Sequence, residues 1–151
     1  MLKGIDPLLT PALLKVLAEM GHGEEIVIAD ANFSALSLAQ GKPVLHLPGA
    51  GVERTSRAVL SLLPLDTAVA RPVAFMQVSE YPEGTLSALQ RRMLAWLAEA
   101  GHAKPEQCEA TERFAFYDRV RAAQAIVLTG ELQPYGNFLF KKGVICEALV
   151  P

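Results

Sequence analysis

Cysteine is nearly absent from this chain. Only Cys108 and Cys146 occur among its 151 residues, isolated from each other and outside any CxxC or zinc spacing, so the sequence encodes neither a disulfide framework nor a structural zinc site. Both are expected to be reduced, structural thiols in a cytoplasmic protein. His46 and His102 stand without carboxylates or cysteines at ligand spacing, and no metal site is expected. Glycine-rich signatures are missing as well: there is no GxGxxG, no P-loop and no GxSxG turn, which removes the usual routes to dinucleotide, nucleotide and serine-hydrolase chemistry.

Charge is scarce and balanced. Charged residues make up 20 % of the chain and apolar ones 51 %, with a formal net charge of -2 and an isoelectric point near 5.9. That composition is globular rather than disordered. It offers no basic stripe for a phosphate backbone, so nucleic acid is not an expected partner. No apolar run approaches the roughly 18 residues of a bilayer span, and the start MLKGIDPLL lacks the apolar core of a signal peptide, so no membrane is expected either. The positive mean hydropathy, +0.25, in a chain of this size suggests apolar surface covered by neighbouring subunits.

What is present is an alternation of helical and extended segments. Thr10 and Pro11 read as N-cap and first helical residue, and Leu13, Val16, Leu17 and Met20 recur at helical spacing up to Gly21. After the Gly21-His22-Gly23 turn, Glu25 to Ala29 reads as a buried strand closed by Asp30. Residues 31 to 52 read as a loop-rich crossover with a short strand at Pro43 to Leu47. A second helix is expected over Glu53 to Leu63 and a strand over Pro72 to Val78. Leu86, Leu89, Met93, Trp96 and Leu97 then mark a third helix ending near Gly101. Beyond a turn at Lys104-Pro105 come a short extended piece, a helix over Phe114 to Ala123, a strand at Ala125 to Thr129, a connection from Gly130 to Gly136, and a last strand over Asn137 to Val144. The class is α/β, with no repeat and no interdomain linker.

Three polar features stand where such sheets place ligands: His22 in a glycine-flanked turn, Asp30 at a strand end, and Tyr135-Gly136-Asn137 in a late connection. Each has an ordinary alternative. A lone histidine is commonly a surface residue, Asp30 a cap, and Tyr-Gly-Asn a turn with Gly136 or Asn137 at positive φ. Arg113 reads as a helix-start residue. Phe114, Phe116 and Tyr117 are core candidates that could also stack on a sugar face. Lys141-Lys142 reads as an edge-strand charge pair that discourages aggregation, and one of Glu24 and Glu25 is expected to face solvent.

Three stretches carry a resemblance: LLKVLAEMGHGEEIVIADANF at 13 to 33, RFAFYDRVRAAQAIVLTGE at 113 to 131, and YGNFLFKKGV at 135 to 144. They are similar to the family of fucose mutarotases and ribose pyranases, and the likeness spans nearly the whole chain. It implies a three-layer α/β/α sandwich with a mixed sheet, forming one sugar-mutarotase domain over residues 1 to 151. His22 then matches the acid/base histidine, while Asp30, Arg113, Tyr135, Gly136 and Asn137 match sugar-contacting positions. Arginine at 113, followed by FAFYDR, resembles the fucose branch; ribose pyranases carry histidine there. One departure is Ser34 to Gln40, where many fucose-type members have a second histidine and this chain has Ala35-Leu36-Ser37.

Anomer exchange requires protonation of the ring oxygen and loss of the anomeric hydroxyl proton, then reclosure on the other carbonyl face. Histidine suits this because its pKa near ~6.5 leaves both forms populated at neutrality, with a contribution of roughly 10² to 10⁴ in rate. No cofactor is called for. The implied activity is interconversion of the α and β anomers of L-fucose or a similar monosaccharide by a cytoplasmic homodecamer of two pentameric rings, with sites near subunit contacts. Two alternatives remain at this stage: pyranose-furanose exchange on ribose, and non-catalytic sugar binding beside an uptake system.

Overall fold

The structure is a computed structural model that describes residues 1–150. Its elements follow in the order α1 (Pro11–Glu19), β1 (Glu25–Ala29), α2 (Ala35–Ala39), β2 (Val44–Leu47), α3 (Val52–Leu60), β3 (Val73–Met76), α4 (Ala88–Glu99), a 3-10 turn (Pro105–Gln107), β4 (Cys108–Thr111), α5 (Arg113–Ala122), β5 (Ala125–Thr129) and β6 (Phe138–Lys141). Local chemistry sets several of these ends. The Thr10 hydroxyl accepts the Leu13 N–H ahead of Pro11, and Ser87 and Gln90 form a reciprocal capping box that starts α4. Glu112 caps α5 by accepting the N–H groups of Phe114 and Ala115. Such caps satisfy amide groups that have no partner inside the helix.

Among the described residues the strands form one six-stranded sheet in the order β2-β5-β1-β6-β3-β4. Strand β1 runs parallel to β5 and antiparallel to β6. Strand β6 is also antiparallel to β3, β3 is parallel to β4, and β2 is parallel to β5. Five strands therefore share one direction, and β6 runs against them from the middle of the sheet. The consequence is positional: the carboxyl ends of β1, β3, β4 and β5 meet the start of β6 at one edge, and their amino ends meet the end of β6 at the other.

The two faces of the sheet are covered separately. Ile26, Ile28, Val73, Phe75, Val127, Phe138 and Phe140 pack with α1, α3 and α4. Val27, Ala29, Ala74, Met76, Ile126 and Leu139 pack with Phe116 and Val120 of α5 and Leu38 of α2. Odd and even positions of each strand thus face different helical layers, which is why the central strands read as unbroken apolar runs. The result is the three-layer α/β/α sandwich with a mixed sheet.

Two expectations need correction. The 31 to 52 crossover holds a short helix, α2, whose Ala35, Leu38 and Ala39 are buried; five residues are too few to show a helical period. Lys141 and Lys142 are not an edge pair, because β6 is interior. Lys141 Nζ lies 3.3 Å from Glu25, and Lys142 Nζ bonds the Leu17 and Met20 carbonyls at the end of α1. Glu25 is only 11 % exposed, held by Arg119 and Lys141. Burial, with Glu106 beside it, pushes the Cys108 thiol up to about 11, consistent with an inert structural thiol.

Candidate active site

The carboxyl edge of the sheet opens into a cavity of about 280 Å³ lined by Asp30, Asn32, Phe33, Ser34, Met76, Glu80, Arg113, Tyr117, Pro134, Tyr135 and Asn137. Its location follows from topology, since Asp30 ends β1, Met76 ends β3, Arg113 follows β4 and Asn137 precedes β6. Ligands in open α/β sheets bind outside the carboxyl ends of strands for this reason. A volume just under the roughly 300 to 1,000 Å³ of drug-sized sites suits a single sugar ring.

Asp30 is the best-held group. Its side chain accepts the Asn32 N–H at 3.0 Å and the Asn137 Nδ2 at 3.0 Å, and its own N–H donates to Asn137 Oδ1 at 3.0 Å. Burial raises the Asp30 pKa above the usual carboxylate value, opposed by the N–H groups of Asn32 and Gly136 and by Asn137, and reinforced by the negative charge of Glu131. The carboxylate is thus fixed in direction and poised to accept hydroxyl groups.

Tyr135, not Gly136 or Asn137, takes the positive φ of the late turn, at 61°. An aromatic residue there is strained by about 1 to 3 kcal/mol, and its surroundings must hold it. They do so at three points. Gln90, fully buried, donates to the Tyr135 carbonyl at 3.1 Å and to the Met76 carbonyl at 2.8 Å. The Tyr135 and Ser79 hydroxyls are 2.9 Å apart. A Cβ at Gly136 would lie 2.9 Å from Leu89 Cδ2 and 3.1 Å from the Gln133 carbonyl, so a side chain there would press on both α4 and the turn.

Aromatic residues divide by position. Phe116 is core, Tyr117 lines the cavity in an edge contact with Phe33, and Phe114 is 69 % exposed. Asp118 is outside, paired with Arg121. Sequence patterning did not single out Asn32, Phe33, Ser34, Met76, Glu80 or Pro134. Asn32 and Phe33 sit beside Asp30, within the matched segment, and could have been found there. Glu80 carries no local signal.

His22 lies elsewhere. It is half exposed in the turn before β1, with Nε2 3.2 Å from Asp66 Oδ2, and it does not line the cavity. The five residues of β1 alone separate the two ends by about 13 Å. Within one chain, the structure brings Asp30, Arg113, Tyr135 and Asn137 together, backed by Gly136, and leaves His22 at the opposite edge. Among the described residues no group of three or more His, Cys, Asp or Glu could hold a metal ion, and no helix is long and apolar enough to cross a membrane.

Fold and cavity together define a class, an α/β/α sandwich with a small polar pocket at the carboxyl edge of a mixed sheet. Residues 3–145 match the model of the RbsD / FucU transport protein family, and the chain belongs to that family. It is 46 % identical over 145 residues to the L-fucose mutarotase of Actinobacillus pleuropneumoniae, covering 95 % of this chain and 97 % of that one. The fucose mutarotase of Homo sapiens is 43 % identical over 147 residues, 95 % and 94 % of the two chains. The crystal structure of a Streptococcus pneumoniae fucose mutarotase in complex with L-fucose is 34 % identical and matches with a TM-score of 0.85 over 96 % of this chain and 100 % of that one.

Proposed function

We propose that the protein is an isomerase, a mutarotase that interconverts the α and β anomers of L-fucose. The observation that carries this is the cavity itself, in which an oriented carboxylate, a guanidinium, an amide and two phenol-bearing rings converge in the volume of one monosaccharide, in a chain whose relatives are fucose mutarotases. Asp30 accepts sugar hydroxyls, Arg113 and Asn137 lie where they can donate to them, and Tyr117 and Tyr135 offer ring faces or hydroxyls. Arg113, rather than histidine, favours fucose over ribose.

His22 is the proton-transfer group of this reading. It gives a proton to the ring oxygen as the bond from that oxygen to the anomeric carbon breaks, while the anomeric hydroxyl loses its proton to water. The carbonyl turns and the steps reverse, with no net change in atoms or electrons. Because His22 sits at the far edge of its own sheet, the His22 that serves a given cavity comes from a second copy of the chain. Leu36, Phe114 and Leu132 are 75 %, 69 % and 78 % exposed, and each lies within two residues of a cavity-lining residue; a second copy seated there covers them. This agrees with a cytoplasmic homodecamer of two pentameric rings.

Saturation-transfer NMR on mixed α- and β-fucose tests the reading. The full chain is expected to accelerate exchange and His22→Ala to abolish the acceleration with the fold retained. Saturable fucose binding without faster exchange would instead support a sugar-binding role.

A further inference from the structure

A polar side chain sits in the apolar face of α4. The buried residues of that helix are Leu89, Gln90, Met93, Trp96 and Leu97, and Gln90 is 0 % exposed. Glutamine is seldom buried completely unless its amide is bonded. Gln90 Oε1 accepts the Ser87 N–H at 3.0 Å. Its Nε2 donates one hydrogen to the Met76 carbonyl at 2.8 Å and the other to the Tyr135 carbonyl at 3.1 Å. The reverse amide orientation would set two carbonyl oxygens against Oε1 and an N–H against the NH₂, so the partners fix it.

The two carbonyls belong to separate stretches of the cavity wall. Met76 ends β3, Tyr135 lies in the connection before β6, and both line the cavity. Met76 is held from its other side as well, since its N–H donates to the Asn137 carbonyl at 3.1 Å, and the Asn137 side chain orients Asp30. Tyr135 is the residue at positive φ. A second glutamine repeats the link to α4: Gln133 Oε1 accepts the Leu89 N–H, while the Gln133 N–H donates to Glu131 at 3.0 Å. The first turn of α4 is therefore the frame on which this part of the wall is hung.

We propose that Gln90 is a positioning residue for sugar binding: its two N–H groups clamp the Met76 and Tyr135 carbonyls and keep the Tyr135 turn in the sparsely populated conformation that lines the cavity. The proposal rests on the cavity being the fucose site. Without the clamp the tyrosine returns to ordinary φ for much of the time. Only the fraction of molecules with the turn in place then binds sugar, and apparent affinity falls by that fraction. His22 lies at the opposite edge of the sheet and takes no part in the clamp, so proton transfer to bound sugar proceeds as before.

A glutamine that served only to start α4 would act through Ser87 alone, and the two roles separate by substitution. Gln90→Met keeps an unbranched side chain of similar length and removes all three bonds. In the full chain, calorimetry is expected to show the fucose Kd raised about tenfold or more. Exchange at saturating fucose, read by saturation-transfer NMR, is expected to stay within about threefold of parental. Gln90→Glu keeps the Ser87 bond and, protonated in the core, one of the two carbonyl bonds; it preserves the capping box and is expected to raise Kd by about threefold. Ser87→Ala removes the hydroxyl that accepts the Gln90 N–H and leaves both carbonyl bonds, so it is expected to lower the melting temperature with Kd at the parental value.

Parental Kd in folded Gln90→Met, or in Gln90→Glu where the methionine variant does not fold, overturns the proposal. A rise in Kd shared by Ser87→Ala overturns it too, because the helix start would then suffice. So does a fall in saturating exchange with Kd unchanged, which would place Gln90 in the chemical step. Absence of fucose binding by the parent overturns the functional reading instead, before any variant is made.

Discussion

Asn137 and Asp30 hold each other across the junction of β1 and β6: the Asn137 carbonyl oxygen accepts the Asp30 N–H and its amide donates to the Asp30 carboxylate, both at 3.0 Å. The two residues are 3 % and 5 % exposed. One side chain therefore satisfies a buried backbone donor and aims a buried carboxylate at once, which ties the shape of the cavity to the pairing of the central strands.

Asn137→Ala removes both bonds. The Asp30 N–H is left without a partner and the carboxylate loses a charge-assisted donor, a combined cost of about 2 to 4 kcal/mol. For a chain of this length that corresponds to a fall in melting temperature of roughly 4 to 16 °C, measurable by circular dichroism. A melting temperature equal to the parent's would mean the pair does not bear on stability.

Asp30 also sets a pH dependence for sugar binding. Its pKa is raised, chiefly by burial, so the accepting carboxylate is present above the raised value and is lost as pH falls through it. Folding stability follows the opposite sign: the group's contribution is full below its unfolded value and declines as pH rises through the folded one. Calorimetric fucose affinity is expected to be level near neutrality and to drop on acidification at a pH above the ordinary aspartate value of about 3.9. Asp30→Asn is expected to bind weakly at every pH, without that step. An acid step shared by the variant would assign it to another group.

Much of this was legible in the chain itself. Buried strands such as Ile26-Val27-Ile28-Ala29 announce themselves because both faces are covered by helices, and α4 announces itself because Leu89, Met93, Trp96 and Leu97 mark one face. Helix α2 does not, being shorter than two turns and uncapped by any side chain. Lys141-Lys142 misled because charge at a strand end looks the same whether the strand is an edge or, as here, an interior strand whose lysines serve helix and turn carbonyls. The positive φ of Tyr135 ran against local preference, since Gln90, Ser79 and the space beside Gly136 impose it from outside the turn. Asp66 had no local mark at all; its meeting with His22 depends on how β6 ends.

Ion pairs at the amino edge of the sheet differ from those on the surface by burial. Glu25, 11 % exposed, lies between Arg119 and Lys141, so Glu25→Ala leaves Arg119 with Glu109 alone and Lys141 with the Gly23 carbonyl and is expected to cost about 1.5 to 3 kcal/mol, the loss of hydrogen bonds to a charged, mostly buried group. Lys15 and Glu19 are 70 % and 63 % exposed, and Glu19→Ala is expected to cost about 0.5 kcal/mol or less. Urea unfolding of both variants checks the contrast. Equal midpoints would show that solvent reaches Glu25 as freely as Glu19.

The separation of His22 from the cavity makes the sharpest prediction about assembly. Two variants, His22→Ala and Asp30→Asn, each lose exchange activity when made alone, whichever way the site is built. Produced together, they behave differently in the two cases. If one chain supplied the whole site, every site in a mixed assembly would carry one lesion and no activity would return. If His22 reaches the cavity of a neighbouring copy, half of the histidines and half of the aspartates are intact and assort independently. Random assembly at equal amounts then restores about one quarter of parental exchange, read by the same NMR saturation transfer on the co-purified complex. Absence of any recovery in an assembly shown by mass spectrometry to contain both chains would overturn the shared site.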